Sequence, residues 1–425
     1  MSISVTNSAH RISLASEFIM ARRPVVDREQ NLVAHELLFC ETGTQIAPCA
    51  TGEEHPTAAS VIADVCQHGM ERIIGDLFAI LYIDADALMS DIFQFLPAQN
   101  VILEIAEIPD ASDLILERMN LLRQAGFRFA LVINDNTPAL EKLLPLVEGV
   151  RIDITGKSRD ELSRFCRTFH AHQKQLLAER VETREQFQTC FELGFDFFQG
   201  YYFTEPQTQA ESVVLPSQAV IAELVTLLDS DADTSVIEDR IKADVALGLN
   251  LLRLANTSNM VAHPVESLRQ AVMVLGRDRL LRWLQSLPDT NRGMQHPGMM
   301  PLLAQATLRG RLMELIALKL IPGNRSMADT GFTVGVMSLM DAIFSTPMDK
   351  IVREIPVIEE IRDALLHRQG YFGQLLALVE YAEWRTKTDV QLMQAARNLK
   401  LSCSDLYQLQ LSAFEWCDEV RRDAH

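Results

Sequence analysis

The sequence predicts an α/β barrel followed by an all-α half, and three observations carry that prediction. Eight short apolar runs recur through the first half of the 425-residue chain. Amphipathic stretches such as 112–124 and 159–172 lie between most of them, the alternation expected of βα units around a parallel sheet. Near residue 206 this alternation stops, and apolar positions then recur with helical spacing.

The runs cover 18–26, 32–39, 78–84, 101–107, 127–134, 149–155, 176–181 and 195–203. Eight strands with intervening helices fit a TIM-like (β/α) barrel. The first two are separated only by Asp27-Arg28-Glu29-Gln30-Asn31, too short for a crossover helix, so the barrel should open with an antiparallel hairpin. Gly126 stands where a glycine ends a helix. A polar residue sits near the end of almost every run: Glu36, Asp84, Glu104, Glu107, Asn134, Asp153, Glu179 and Gln199. The C-terminal mouth of such a barrel is where sites form.

Residues 207–217, bounded by Pro206 and holding Pro216, form a polar linker. This divides the chain into a barrel domain, 1–206, and a helical domain, 218–425. Helical spacing marks 219–228, 246–255, 267–275, 302–321, 358–366, 374–384 and 390–399. In the third, Leu268, Ala271, Val272 and Leu275 fall on one face and Gly276 follows as a stop. Leu406, Leu409, Ala413, Phe414, Trp416 and Cys417 form a stripe on the tail helix, suited to a partner or to its own domain.

The formal charge is -18. A nucleic-acid binder needs a basic face to displace counterions, so that class is disfavoured, and so is docking on an anionic membrane. The seven cysteines include no CxxC pair, which argues against zinc and redox sites and fits reduced thiols in the cytoplasm. No apolar run is long enough for a signal peptide or a membrane span.

The barrel half resembles the EAL domain of cyclic di-GMP phosphodiesterases. His35-Glu36-Leu37-Leu38 is similar to the EAL segment and Leu103-Glu104-Ile105-Ala106-Glu107 to E-[IL]-T-E. Ala178-Glu179-Arg180-Val181-Glu182 resembles A-E-G-V-E, and Phe198-Gln199-Gly200-Tyr201-Tyr202-Phe203 with Pro206 resembles F-Q-G-Y-x-F-x-x-P. The opening Ala21-Arg22-Arg23-Pro24-Val25-Val26-Asp27 is similar to the subfamily in which an HDOD domain follows. The second half resembles that domain at Asp244-Val245-Ala246-Leu247, at Leu251-Leu252-Arg253-Leu254-Ala255-Asn256-Thr257, at 267–276 and at 332–341.

The resemblance implies divalent metal ions held by oxygen ligands. Glu36 and Glu104 match such ligands, and Asp84 replaces an asparagine. The two adjacent aspartates of the family, however, fall on Val132 and Ile133, which cannot coordinate a cation. The family lysine falls on Arg151, the glycine of A-E-G-V-E on Arg180, and the arginine after the EAL segment on Cys40. The HD doublet of the HDOD domain's phosphohydrolase relatives falls on Ser338 and Leu339. Arg311 and Glu314, three apart, should form a surface pair.

These losses lead to the expectation of a non-catalytic signalling scaffold that contacts other signalling proteins, alone or as a homodimer. Glu36, Asp84, Glu104, Glu107, Glu179, Glu182 and Gln199 are then inherited mouth residues. Glu36, Asp84 and Glu104 are the candidates for any single metal ion, and no resident cofactor is expected. The alternatives are a cyclic di-GMP receptor, for which Glu179, Gln199 and Arg151 supply the contacts, and a residual cyclic di-GMP phosphodiesterase.

Overall fold

A computed structural model describes residues 18–41, 69–91, 93, 96–105, 111–133, 140–203, 216–257, 264–287, 299–383 and 389–423. Eight strands close a barrel in chain order: β1 (Phe18–Val26), β2 (Leu32–Glu41), β3 (Phe78–Ile83), β4 (Val101–Ile105), β5 (Arg128–Ile133), β6 (Gly149–Asp153), β7 (Gln175–Glu179) and β8 (Phe197–Phe198). Strand β1 runs antiparallel to both β2 and β8, and the remaining neighbours are parallel. The hairpin turn forms because Asp27 satisfies it locally: its carboxylate accepts from the Asn31 backbone N–H at 2.8 Å, while Gln30 takes a left-handed φ of 61°.

Alternation along the strands makes two cores. Phe129, Leu131, Ile133, Ile152 and Phe198 face outward into a layer shared with the barrel helices. Burying a side chain of this size stabilises by roughly 1.5–3 kcal/mol. Val25, Ala34, Ile80 and Leu177 fill the interior. The barrel helices are α1 (Met70–Ile74), α2 (Ala85–Leu88), α3 (Asp113–Gln124), α4 (Leu140–Leu143), α5 (Arg159–Ala171) and α6 (Arg184–Leu193). Capping fixes several ends. Ser112 caps α3, and Ser158 with Glu161 and Thr183 with Gln186 form capping boxes at α5 and α6.

The second half is helical: α7 (Gln218–Asp229), α8 (Thr234–Lys242), α9 (Val245–Thr257), α10 (Leu268–Leu275), α11 (Arg277–Ser286), α12 (Met299–Leu320), α13 (Arg325–Met337), α14 (Met340–Phe344), α15 (Met348–Glu354), α16 (Glu359–His367), α17 (Gly370–Glu383), α18 (Asp389–Asn398) and α19 (Cys403–Asp423). The predicted linker 207–217 lies outside the described residues except for its last two. Among the described residues, no helix is long and apolar enough to cross a membrane.

Most of the α19 stripe packs on its own domain, as read from the sequence, and the helix also joins the two domains. Leu406 and Ala413 pack in the helical core, whereas Tyr407, Leu411 and Phe414 belong to the outer core of the barrel. Arg22 of β1 lies over the Phe414 ring at 3.8 Å and pairs with buried Asp418 at 3.2 Å. Gln410 donates to the Met20 carbonyl at 2.9 Å.

The Arg311–Glu314 pair exists at 2.7 Å, but it is not a surface pair. Glu314 is buried because the Lys242 ammonium draws it in at 2.8 Å, beside Glu238 at 2.7 Å and Asp329 at 3.3 Å. Burial first, and then the neighbouring Glu238 charge, raise the Asp329 carboxyl to about 6 against the pull of Lys242. Folding therefore takes up a proton between the ordinary aspartate range and about pH 6, so this group's contribution to stability falls as pH rises through that window. Asp329→Asn should flatten that part of the stability–pH curve, as measured by urea unfolding at intervals from pH 4 to 7. An unchanged slope would contradict the assignment.

Candidate functional site

The interior face of the barrel carries Glu36 on β2, Glu104 on β4, Arg151 on β6, Glu179 on β7 and Gln199 just after β8. All but Glu179 are buried, and Glu179 is partly exposed. Alternation explains the gathering: Glu104, Arg151 and Glu179 point inward while their immediate neighbours point to the helices. The same rule sends His35, adjacent to Glu36, to the outer face, where it is buried.

Arg151 is the hub. Its Nε donates to Glu104 Oε1 at 2.7 Å and its Nη1 to Gln199 Oε1 at 2.6 Å. Nη1 also lies 3.6 Å from both Glu36 Oε1 and Glu179 Oε1. Gln199 donates in turn to Glu36 Oε2 at 3.0 Å, and Arg23 approaches the same carboxylate at 3.8 Å. Burial alone would lower the affinity of Arg151 for its proton, but the Glu104, Glu36 and Glu179 carboxylates outweigh it and keep the guanidinium charged. Glu104 is pushed up to about 7, by burial first and by the Glu36 and Glu179 charges, against the opposing pull of Arg151.

The other predicted site residues separate from this cluster. Asp84 caps α2, accepting from the Ala87 N–H at 2.7 Å, because a carboxylate following a strand satisfies the first helix turn more readily than it reaches inward. Glu182 is exposed at the start of α6, held through its backbone by Gln186. Val132 faces the interior and pairs in register with Arg151, whereas Ile133 belongs to the outer core; only one of the two therefore narrows the mouth. Glu107 lies outside the described residues. Arg180 adopts a left-handed φ of 61°, the conformation glycine favours, at the position where the resemblance has glycine, and pairs with Asp153 at 3.6 Å. In the helical half Ser338 bonds Arg309 at 2.8 Å and Leu339 is buried. Arg23 escaped the sequence reading, since its place beside Glu36 follows from the hairpin register alone.

Among the described residues, those of the mouth do not by themselves present an open ligand set for the divalent ions implied by the resemblance. The carboxylates of the mouth converge on a guanidinium, and among the described residues no group of three or more His, Cys, Asp or Glu side chains is arranged to hold an ion.

Comparison with known proteins identifies both halves. The EAL domain model matches residues 146–206 and the HDOD domain model residues 215–344. The chain is 27% identical over 408 residues to the cyclic di-GMP phosphodiesterase CdgJ of Vibrio cholerae serotype O1, covering 95% of this chain and 93% of that one. It is 26% identical over 413 residues to YuxH of Bacillus subtilis, covering 94% and 98%. Among solved structures, the FimX EAL domain of Pseudomonas aeruginosa bound to c-di-GMP matches with 15% identity and a TM-score of 0.33, over 44% of this chain and 90% of that one.

The expectation of a non-catalytic scaffold is corrected by the near-full-length similarity to a phosphodiesterase. That expectation weighed losses one position at a time, Val132 and Ile133 foremost, with Arg151, Arg180, Cys40, Ser338 and Leu339. It had no way to weigh the convergence of Glu36, Glu104, Glu179 and Gln199 from four parts of the barrel wall. With a closed barrel opening on an antiparallel hairpin, a helical second half and a family match in each, this chain carries an EAL domain followed by an HDOD domain.

Proposed function

We propose that this protein is a cyclic di-GMP phosphodiesterase whose nucleotide-facing mouth is built from Glu36, Glu104, Arg151, Glu179 and Gln199, with the domain boundary within 207–217. The supporting observation is the convergence of these side chains at the C-terminal end of the barrel, in a chain similar to CdgJ over 95% of its length. In the reaction a water oxygen bonds to phosphorus, one bridging P–O bond breaks, and its oxygen leaves with a proton, giving linear pGpG. The side chains of the mouth supply position: Gln199 ties Glu36 to Arg151, and the apolar interior behind them closes the barrel floor.

The test is turnover by the full chain. Incubation with cyclic di-GMP and Mn²⁺ should release pGpG, followed by chromatography. Glu36→Ala should lower the rate about a hundredfold or more, the scale of removing one preorganised polar group from an active site. Absence of pGpG above a protein-free control, or an equal rate in Glu36→Ala, would overturn the proposal.

A further inference from the structure

The β1–β2 hairpin has two faces, and each meets a different part of the molecule. Neighbouring residues on a strand point to opposite sides. On β1, Arg22 turns outward and pairs with Asp418 of α19 at 3.2 Å, whereas Arg23 turns inward to Glu36 at 3.8 Å. On β2, Glu36 faces the mouth, and His35 beside it faces outward, where it lines a cavity of about 280 Å³ between the domains. Arg23 and Glu36 stand directly opposite each other in the strand register, so a displacement of β1 carries over to Glu36.

Much of what holds β1 in place comes from α19. The strand closes the barrel against β8 through one register pair, Val26 with Phe198, at its C-terminal end. Among the described residues, the rest of that edge has no strand partner. In this stretch Gln410 of α19 donates to the Met20 carbonyl at 2.9 Å, and Asp418 holds Arg22. Gln410 and Asp418 are both buried. The other ion pairs from α19 to the barrel, Glu415 with Arg72 and Arg421 with Asp76, are partly exposed, so solvent weakens them. The cavity adjoins Pro24, Leu32 and His35, so packing from the helical half thins toward the turn of the hairpin. The hold on β1 is therefore concentrated at Met20 and Arg22.

We propose, on the reading of Glu36 as part of a phosphodiesterase mouth, that Gln410 and Asp418 are positioning residues for that mouth. By fixing β1 they fix Arg23 and Glu36, and the helical half thereby sets the rate of the barrel. Removing one partner of a buried ion pair leaves the other charge uncompensated. Asp418→Asn therefore strands the Arg22 guanidinium and releases the outer face of β1. Strands β5 and β6 pair with parallel neighbours on both edges and should not follow.

Hydrogen exchange of the full chain, without nucleotide, tests the link between α19 and the hairpin. In Asp418→Asn and in Gln410→Leu the amides of 33–37 should exchange about tenfold faster than in the wild type, with β5 and β6 nearly unchanged. Ile361→Ala, in the core of the helical half on α16, controls for general loss of stability and should leave 33–37 nearly unchanged. Turnover tests the consequence. Asp418→Asn should lower kcat for cyclic di-GMP about tenfold with little change in KM, and should lower it no further in a Glu36→Ala background, where nothing is left to position. If far-UV circular dichroism shows Asp418→Asn to be misfolded, Gln410→Leu carries both measurements. Unchanged exchange at 33–37, an equal rise across β5 and β6, or the same rise in Ile361→Ala would overturn the link. A tenfold loss that persists on top of Glu36→Ala would overturn the positioning role. If the wild type releases no pGpG, the phosphodiesterase reading fails by itself, and the exchange rates still decide whether α19 fixes the hairpin.

Discussion

Replacing Arg151 with methionine should lower the stability of the barrel by about 3–5 kcal/mol, the cost of removing one partner from a buried ion cluster. Methionine has similar length and no charge, so the change isolates the guanidinium. Without it, Glu36, Glu104 and Glu179 lose the cation that all three face within 3.6 Å, and Gln199 loses the donor at 2.6 Å. Arg151→Lys should cause a smaller loss: the charge is kept, but one ammonium cannot reproduce the forked contact that serves Glu104 and Gln199 together. Tryptophan fluorescence would miss the event, because Trp283, Trp384 and Trp416 all lie in the second half of the chain. Hydrogen exchange of the β4 and β6 amides reports on the barrel directly. A protection loss below about 1 kcal/mol would place Arg151 among solvated surface pairs and remove it as the hub of the mouth.

Much of the barrel was legible because its signals are local. The short apolar runs and the five-residue turn at 27–31 each act within a few residues. The boundaries in sequence and structure accordingly agree closely from β1 to β7. In the helical half, α8, α11 and α13 were not read as helices from the sequence. Ten consecutive residues of α13, Ala328 to Met337, are buried, so no polar face marks its period. Glu238 and Lys242, four apart on α8, are both buried, which their spacing alone does not reveal.

The mouth was legible in composition and illegible in geometry. Glu36, Glu104, Glu179 and Gln199 were picked out as strand ends, and the barrel gathers all four. Asp84 and Glu182 carry the same kind of signal and are turned aside by a helix cap and by exposure. Arg151 counted as the loss of the family lysine; closure of the sheet shows it surrounded by three carboxylates. The bridging role of α19 depends on contacts across nearly 400 residues, such as Gln410 with Met20, which no local pattern encodes.

Gly335→Ala offers a test in which the sign itself decides. Alanine is preferred to glycine in a helix interior by about 1 kcal/mol, so propensity alone predicts stabilisation. The crossing of α12 and α13 predicts the reverse. A Cβ on Gly335 would stand 2.6 Å from the Gly310 Cα, 2.7 Å from its nitrogen and 2.8 Å from the Arg309 carbonyl carbon. These are backbone atoms, so no rotamer change relieves the overlap and the helices must separate. Overpacking of this kind costs about 1–3 kcal/mol, and separation would also loosen the contacts of Arg309 with Ser338 and Glu383 across the same region. Gly335→Ala should therefore lose stability on balance, with Gly335→Leu losing more. Gly331→Ala, whose Cβ would meet the Met313 carbonyl at a milder 3.3 Å, should lie close to neutral. Unfolding followed through Trp416, which packs edge-on against Phe332 of α13, reads all three. If Gly335→Ala proves more stable than the wild type, the helices are farther apart than this crossing requires, and the close approach of α12 and α13 is not what selects glycine there.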